Sequence, residues 1–231
     1  MNYFENVLVA VSCILQVAVL FFLTQGPFRK YLFLFIYLAS ELLSTVAELA
    51  VVNLSPLGNR SPAFGSLYWS DEALSRVLEF AMLIALAWRA SEGSPKRALI
   101  GKLLGAAAII VVAAPFIFIR QRVFSASWFN GMTEVLYFSD VILNLGLWTA
   151  LIANHRRDFQ LLMVSAGVGI EVTGQALAFS LRTLNSPPTL TAEFTANLLI
   201  SFSNLLSLFI WFWALRPARR RNPLPTVATN P

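Results

Sequence analysis

The chain has 231 residues, of which 57% are hydrophobic and 13% charged, with a formal net charge of +5. A charged share near half the roughly 25% of soluble domains excludes an ordinary soluble globular protein. The single cysteine, Cys13, excludes an intramolecular disulfide; in its apolar stretch it is expected to pack as a small hydrophobe.

Seven apolar runs fill almost the whole chain, each close to the roughly 20 residues that a bilayer crossing requires. In chain order they are Phe4–Thr24, Tyr31–Asn53, Tyr68–Trp88, Ala98–Ile119, Trp128–Ala153, Phe159–Leu181 and Leu190–Leu215. The pattern predicts an all-α fold: an integral membrane bundle of seven transmembrane helices forming one domain over residues 1–221. A short disordered cytoplasmic tail, 222–231, follows it.

The first run lacks the basic leader and small-residue cleavage site of a signal peptide, so it is expected to be retained as a span. The second carries Glu41, about ten residues in and so roughly 15 Å deep, with Glu48 two turns further on. The third holds Glu72, Arg76 and Glu79, which share one helix face by their i, i+4, i+7 spacing. The fourth has no ionisable residue between Leu103 and Ile119, and reads as a lipid-facing or packing helix with a bend at Pro115. Its Gly101-Lys102-Leu103-Leu104-Gly105 permits close helix contact, more readily within the monomer than in a dimer. The fifth carries Glu134 and the face Tyr137, Asp140, Asn144; the sixth has Glu171 and Gln175; the seventh has Glu193 and the face Asn197, Ser201, Asn204.

Orientation follows from the basic residues. With the N-terminus outside, the inner segments hold Arg29, Lys30, Arg89, Lys96, Arg97, Lys102, Arg156, Arg157, Arg216, Arg219, Arg220 and Arg221. The outer segments hold only Arg60, Arg120, Arg122 and Arg182. This bias predicts an outer N-terminus and a cytoplasmic C-terminus. Basic residues spread over short loops mark topology, and no nucleic-acid partner is expected. The tryptophans are expected to form interfacial belts, with Trp69 and Trp128 outside and Trp88, Trp148, Trp211 and Trp213 inside. Asn53-Leu54-Ser55 and Asn59-Arg60-Ser61 fit glycosylation acceptors on the outer side.

A carboxylate facing lipid at the bilayer centre costs roughly 2.5–3.5 kcal/mol. Glu41, Glu79, Asp140 and Glu171 therefore should face the bundle interior, with Arg76 the only cation available to them inside it. Because the inner halves of the spans are apolar, the expected site is an acidic pocket opening outward and closed toward the cytoplasm. The residues expected to bind a ligand or carry a proton are Glu41, Glu72, Arg76, Glu79, Asp140, Asn144, Glu171 and Gln175. Interhelical hydrogen bonding, at about 0.6 kcal/mol per contact, is the structural alternative for each.

Several chemistries lack their residues. The one histidine, His155, lies in an inner loop, and all three lysines (Lys30, Lys96, Lys102) lie near the inner surface. A histidine-ligated haem or zinc, a Ser-His nucleophile and a Schiff base within the bundle have no residues to form them. No Gly-x-Gly-Asp motif is present either. The expectation is a protein that is not an enzyme, with no cofactor and no metal centre. It would bind a small molecule, a cation or a lipid as a sensor or accessory subunit, with a membrane-protein partner. The alternative is a proton- or cation-coupled transporter of a small solute, with Glu79, Asp140 or Glu171 carrying the proton.

Two local repeats are visible. Leu67-Tyr68-Trp69-Ser70-Asp71 matches Leu136-Tyr137-Phe138-Ser139-Asp140, and the Glu41–Glu48 segment matches Glu72–Glu79. A three-plus-one-plus-three plan, as in small sugar transporters, would pair the third span with the seventh rather than the fifth, and the Pro-Gln motif of those transporters is missing. Tyr68-Trp69-Ser70-Asp71-Glu72, Glu171, and Ile210-Trp211-Phe212-Trp213 with Arg216-Pro217 give the chain a resemblance to a group of bacterial seven-span proteins of similar length. That group carries no assigned activity. The resemblance implies a span count and a bacterial inner membrane, and no reaction.

Overall fold

The computed structural model describes residues 3–26, 28–54, 62–119, 126–153, 158–184 and 189–216. Within them lie seven α-helices: α1 (Tyr3–Gln25), α2 (Leu32–Leu54), α3 (Pro62–Ala90), α4 (Arg97–Phe118), α5 (Ala126–Ala153), α6 (Phe159–Leu184) and α7 (Leu190–Leu215). All but α3 are long and apolar enough to cross a membrane. The charges Asp71, Glu72, Arg76 and Glu79, crowded into little more than two turns, set α3 apart.

Helix bounds follow the apolar runs to within three residues, with one larger difference. The third helix begins at Pro62, six residues before the expected Tyr68. Proline has no N–H to leave unpaired and its φ is fixed near the helical value, so it starts a helix readily. At α7 the Thr189 hydroxyl caps the first turn by accepting the Ala192 N–H at 3.2 Å.

Helix neighbours close into a ring running α1, α2, α3, α5, α6, α7 and back to α1, and a contact between α3 and α6 crosses its middle. α4 stands outside the ring against α3 and α5. It exposes Leu103, Ile109, Ile110, Val112, Ile117 and Phe118 while burying Pro115, as the absence of ionisable residues from Leu103 to Ile119 predicts. Gly101 meets Trp88 of α3, whereas Gly105 faces open space, so only the first glycine of that motif serves packing within the chain.

α6 owes its central place to glycine. A Cβ at Gly167 would lie 2.3 Å from Trp211 Nε1, one at Gly169 2.5 Å from Asn144 Nδ2, and one at Gly174 2.3 Å from Ser203 Oγ. These gaps let α5 and α7 approach the α6 backbone closely.

The two ends of the bundle differ. Val19 and Leu23 of α1, Leu34 and Leu38 of α2, Leu83 and Leu86 of α3, Leu161 and Val168 of α6, and Leu208 and Trp211 of α7 form one apolar core. They lie at the ends where α1 finishes and α2 starts. The polar residues cluster toward the other end.

Two tryptophans correct the belt expectation. Trp211 is fully buried and donates its indole N–H to the Val164 carbonyl at 3.0 Å, and Trp128 is only 2% exposed, against the Phe116 ring. Both lie within helix packing because a neighbour of small or matching shape receives the ring. Trp88 and Trp213 are exposed, as belt residues should be. The Trp69 side chain, His155, Ser55, the triplet at 59–61 and the tail from 217 onward lie outside the described residues.

Candidate functional site

At the polar end, five helices surround a cavity of about 330 Å³. α1 contributes Ser12, Cys13 and Gln16; α2 Glu41 and Thr45; α3 Asp71, Glu72, Ser75 and Arg76; α6 Glu171 and Gln175; α7 Ser201 and Asn204. Each set recurs at three- or four-residue spacing, which turns one polar stripe per helix toward the same space.

Arg76 is the hub. It is 5% exposed, and its guanidinium donates to Glu79 Oε2 one turn on and to Gln175 Oε1 across on α6. Its Nε lies 3.3 Å from Glu72 Oε1, and the guanidinium carbon stands 4.9 Å from the centre of the Tyr137 ring. Tyr137 in turn donates its hydroxyl to Glu72 Oε1 at 3.1 Å. A planar, permanently charged group with five donors suits this many-partner role as lysine would not.

Glu171, also fully buried, sits in a second network. The Tyr37 hydroxyl donates to Oε1 at 2.8 Å and Asn204 Nδ2 to the same oxygen at 3.3 Å; Ser207 Oγ lies 3.4 Å from Oε2. Three helices, α2, α6 and α7, are tied together at this carboxyl.

Of the eight residues expected from sequence, Glu41, Glu72, Arg76, Glu171 and Gln175 line the cavity, and Glu79, Asp140 and Asn144 do not. Glu79 is turned to Arg76. Asp140 and Asn144 are buried on α5, with Asn144 against Gly169 of α6. Neither Asp140 oxygen, nor Glu79 Oε1, nor Asn144 Oδ1 meets a hydrogen-bond partner among the described residues. Glu134 and Glu193 are exposed, and Asn197 accepts from Arg182 at 2.6 Å instead of facing the cavity.

α1 also lines the cavity, which the apolar pattern of its run does not single out. Cys13 was expected to do no more than pack, yet it and Gln16 line the cavity, and Gln16 is 4% exposed. The signal was Ser12 and Gln16 at i, i+4 in the otherwise apolar stretch Val7–Leu23. Asp71 was passed over as a site residue too, and its repeat partner Asp140 lies off the cavity. The repeat therefore gives two different environments.

Among the described residues the ion pairs of this cluster all involve Arg76. Glu72 and Glu79 take that one charge. Glu41, Asp71 and Glu171 line the cavity with no cation paired to them among the described residues. Together with the helix lengths, this defines a helical membrane-type protein with an acidic cavity between its helices. No family model, no curated protein and no solved structure matches the chain.

Proposed function

We propose that the chain is a seven-span protein of the bacterial inner membrane, N-terminus outside and C-terminus in the cytoplasm, that binds a small cationic or hydrogen-bonding ligand in this cavity. In this reading α3 also crosses the bilayer and brings the number of spans to seven. Its charges are shielded by α2, α5 and α6 instead of facing lipid, where each would cost roughly 2.5–3.5 kcal/mol. The basic-residue bias supports the orientation. The cavity then opens outward, and the apolar core closes it from the cytoplasm.

The observation that carries the reading is the excess of carboxyl groups: Glu41, Asp71 and Glu171 around one cavity, beyond the two that share Arg76. A structural hydrogen-bond network tends toward closed pairs, because an unmatched buried acid is costly. Acids that have no paired cation among the described residues, set around open space, suit a positively charged or donor-rich guest. The protein does no covalent chemistry; it reports occupancy to a membrane partner or assists one. The test is thermal unfolding of the purified protein with organic amines, their neutral isosteres and matching acids. Stabilisation by amines alone, lost in Glu41→Gln, supports the reading; equal response to all three classes contradicts it.

Coupled transport is a second reading, favoured by Asp140. Its two buried oxygens, without a hydrogen-bond partner among the described residues, suit a carboxyl that takes up and releases a proton. Solute flux into proteoliposomes under a pH gradient, abolished in Asp140→Asn, would select it. Binding without flux selects the first reading.

A further inference from the structure

A second cavity, of about 420 Å³, lies on the opposite end of the bundle from the acidic one, between the start of α2 and the end of α3. Its chemistry is inverted. Arg29, Lys30 and Arg89 line it, and the exposed faces of Leu32, Phe33 and Trp88, each 41% accessible, flank them. Leu34, Met82 and Leu86 form a fully apolar floor.

The charges are not equally free. Arg89 lies 3.6 Å from Asp158, donates to the Lys30 carbonyl at 3.1 Å and covers the Tyr31 ring at 4.6 Å, so it fixes the cavity wall. Glu92 also borders the cavity, 4.0 Å from Arg97. Arg29 and Lys30 are exposed and have no ion-pair partner among the described residues. Tyr31, at the same cavity, is 2% exposed, with its ring beneath the Arg89 guanidinium.

We infer that this cavity is a headgroup site for an anionic phospholipid, whose phosphate lies between Arg29 and Lys30 while its acyl chains run over Leu32 and Phe33. Both halves of the cavity bear on the choice. A free anion would use the basic half and leave the apolar half unexplained; a neutral lipid would use the apolar half and leave two unpaired cations. A basic pocket between helices beside exposed apolar helix faces matches both parts of an anionic lipid. The site is independent of the acidic cavity and does not rest on the function proposed for it.

The test is native mass spectrometry of the full chain in detergent, with phosphatidylglycerol, phosphatidylcholine or inorganic phosphate added. The site predicts retention of phosphatidylglycerol over phosphatidylcholine at equal concentration, undisturbed by millimolar phosphate. Losing two charges at the surface should weaken retention by about tenfold or more in R29A/K30A. Lys102→Ala, an exposed cation near the inner surface but outside the cavity, should leave it unchanged. Equal retention of the two lipids, an equal loss in Lys102→Ala, or displacement by phosphate alone would each overturn the inference. Unchanged retention of phosphatidylglycerol by R29A/K30A would do so as well.

Discussion

Arg76 shows how a single side chain can hold a membrane interior together. Its guanidinium reaches Glu72, Glu79, Gln175 and the Tyr137 ring, and so joins α3 to α5 and α6. Removing one member of a buried ion pair typically costs about 3–5 kcal/mol, because the remaining charge stays in a low dielectric. Arg76→Ala should therefore lower the unfolding midpoint in detergent strongly. Arg76→Ala with Glu79→Gln should recover part of that loss, since the stranded charge is gone. Failure of the second change to help would mean that Arg76 acts by its contacts and not by its charge. The Tyr37 hydroxyl is a milder case. Its bond to Glu171 joins α2 to α6, and Tyr37→Phe should cost about 0.6 kcal/mol, the usual interhelical figure in membranes. A cost several times larger would show the Glu171 network to be cooperative.

Glycines govern spacing at the level of the helix. Gly167 and Gly174 lie two turns apart on α6 and leave room for Trp211 and Ser203 of α7. Gly167→Ala forces a methyl group into the Trp211 indole, and overpacking of this kind costs about 1–3 kcal/mol. Gly146 on α5 has open space around it, so Gly146→Ala should stabilise by about 0.5–1 kcal/mol through its backbone effect. Thermal unfolding of the two variants, with opposite signs of shift, checks the assignment of the α6–α7 contact. The helices themselves were legible in sequence because a membrane crossing needs a long apolar run, and such runs have few alternatives. The start of α3 at Pro62 was not, since Ala63 to Ser66 carry no strong apolar periodicity.

At the scale of the whole molecule, the positions of the acids along their helices were readable, but not which helices meet. Glu41, Glu72 and Glu171 converge because α2, α3 and α6 border one space. Asp140, at a comparable depth on α5, falls off it: the α3–α6 contact crosses the ring, and the cavity lining draws on α1, α2, α3, α6 and α7 but not on α5. Nothing in a linear pattern encodes that order. The proposed orientation is itself testable. A fluorescent-protein fusion at the C-terminus should fluoresce and an alkaline phosphatase fusion there should be inactive, because the C-terminus is assigned to the cytoplasm. The opposite pair of results would invert the bundle and place the acidic cavity on the inner side.

The central claim is that the carboxyl groups around the cavity bind a ligand and do not merely tie helices together. Native mass spectrometry of the protein purified under mild conditions, beside a Glu41→Gln variant, measures this directly. Glu41 lines the cavity and, unlike Glu79, is not held by Arg76, so the substitution tests the space without dismantling the hub. The account predicts a bound mass on the native chain that is lost in the variant while the unfolding midpoint of the empty protein stays the same. Identical unliganded spectra for both proteins, with none of the amines adding mass, would contradict it and leave the carboxyls as structural links.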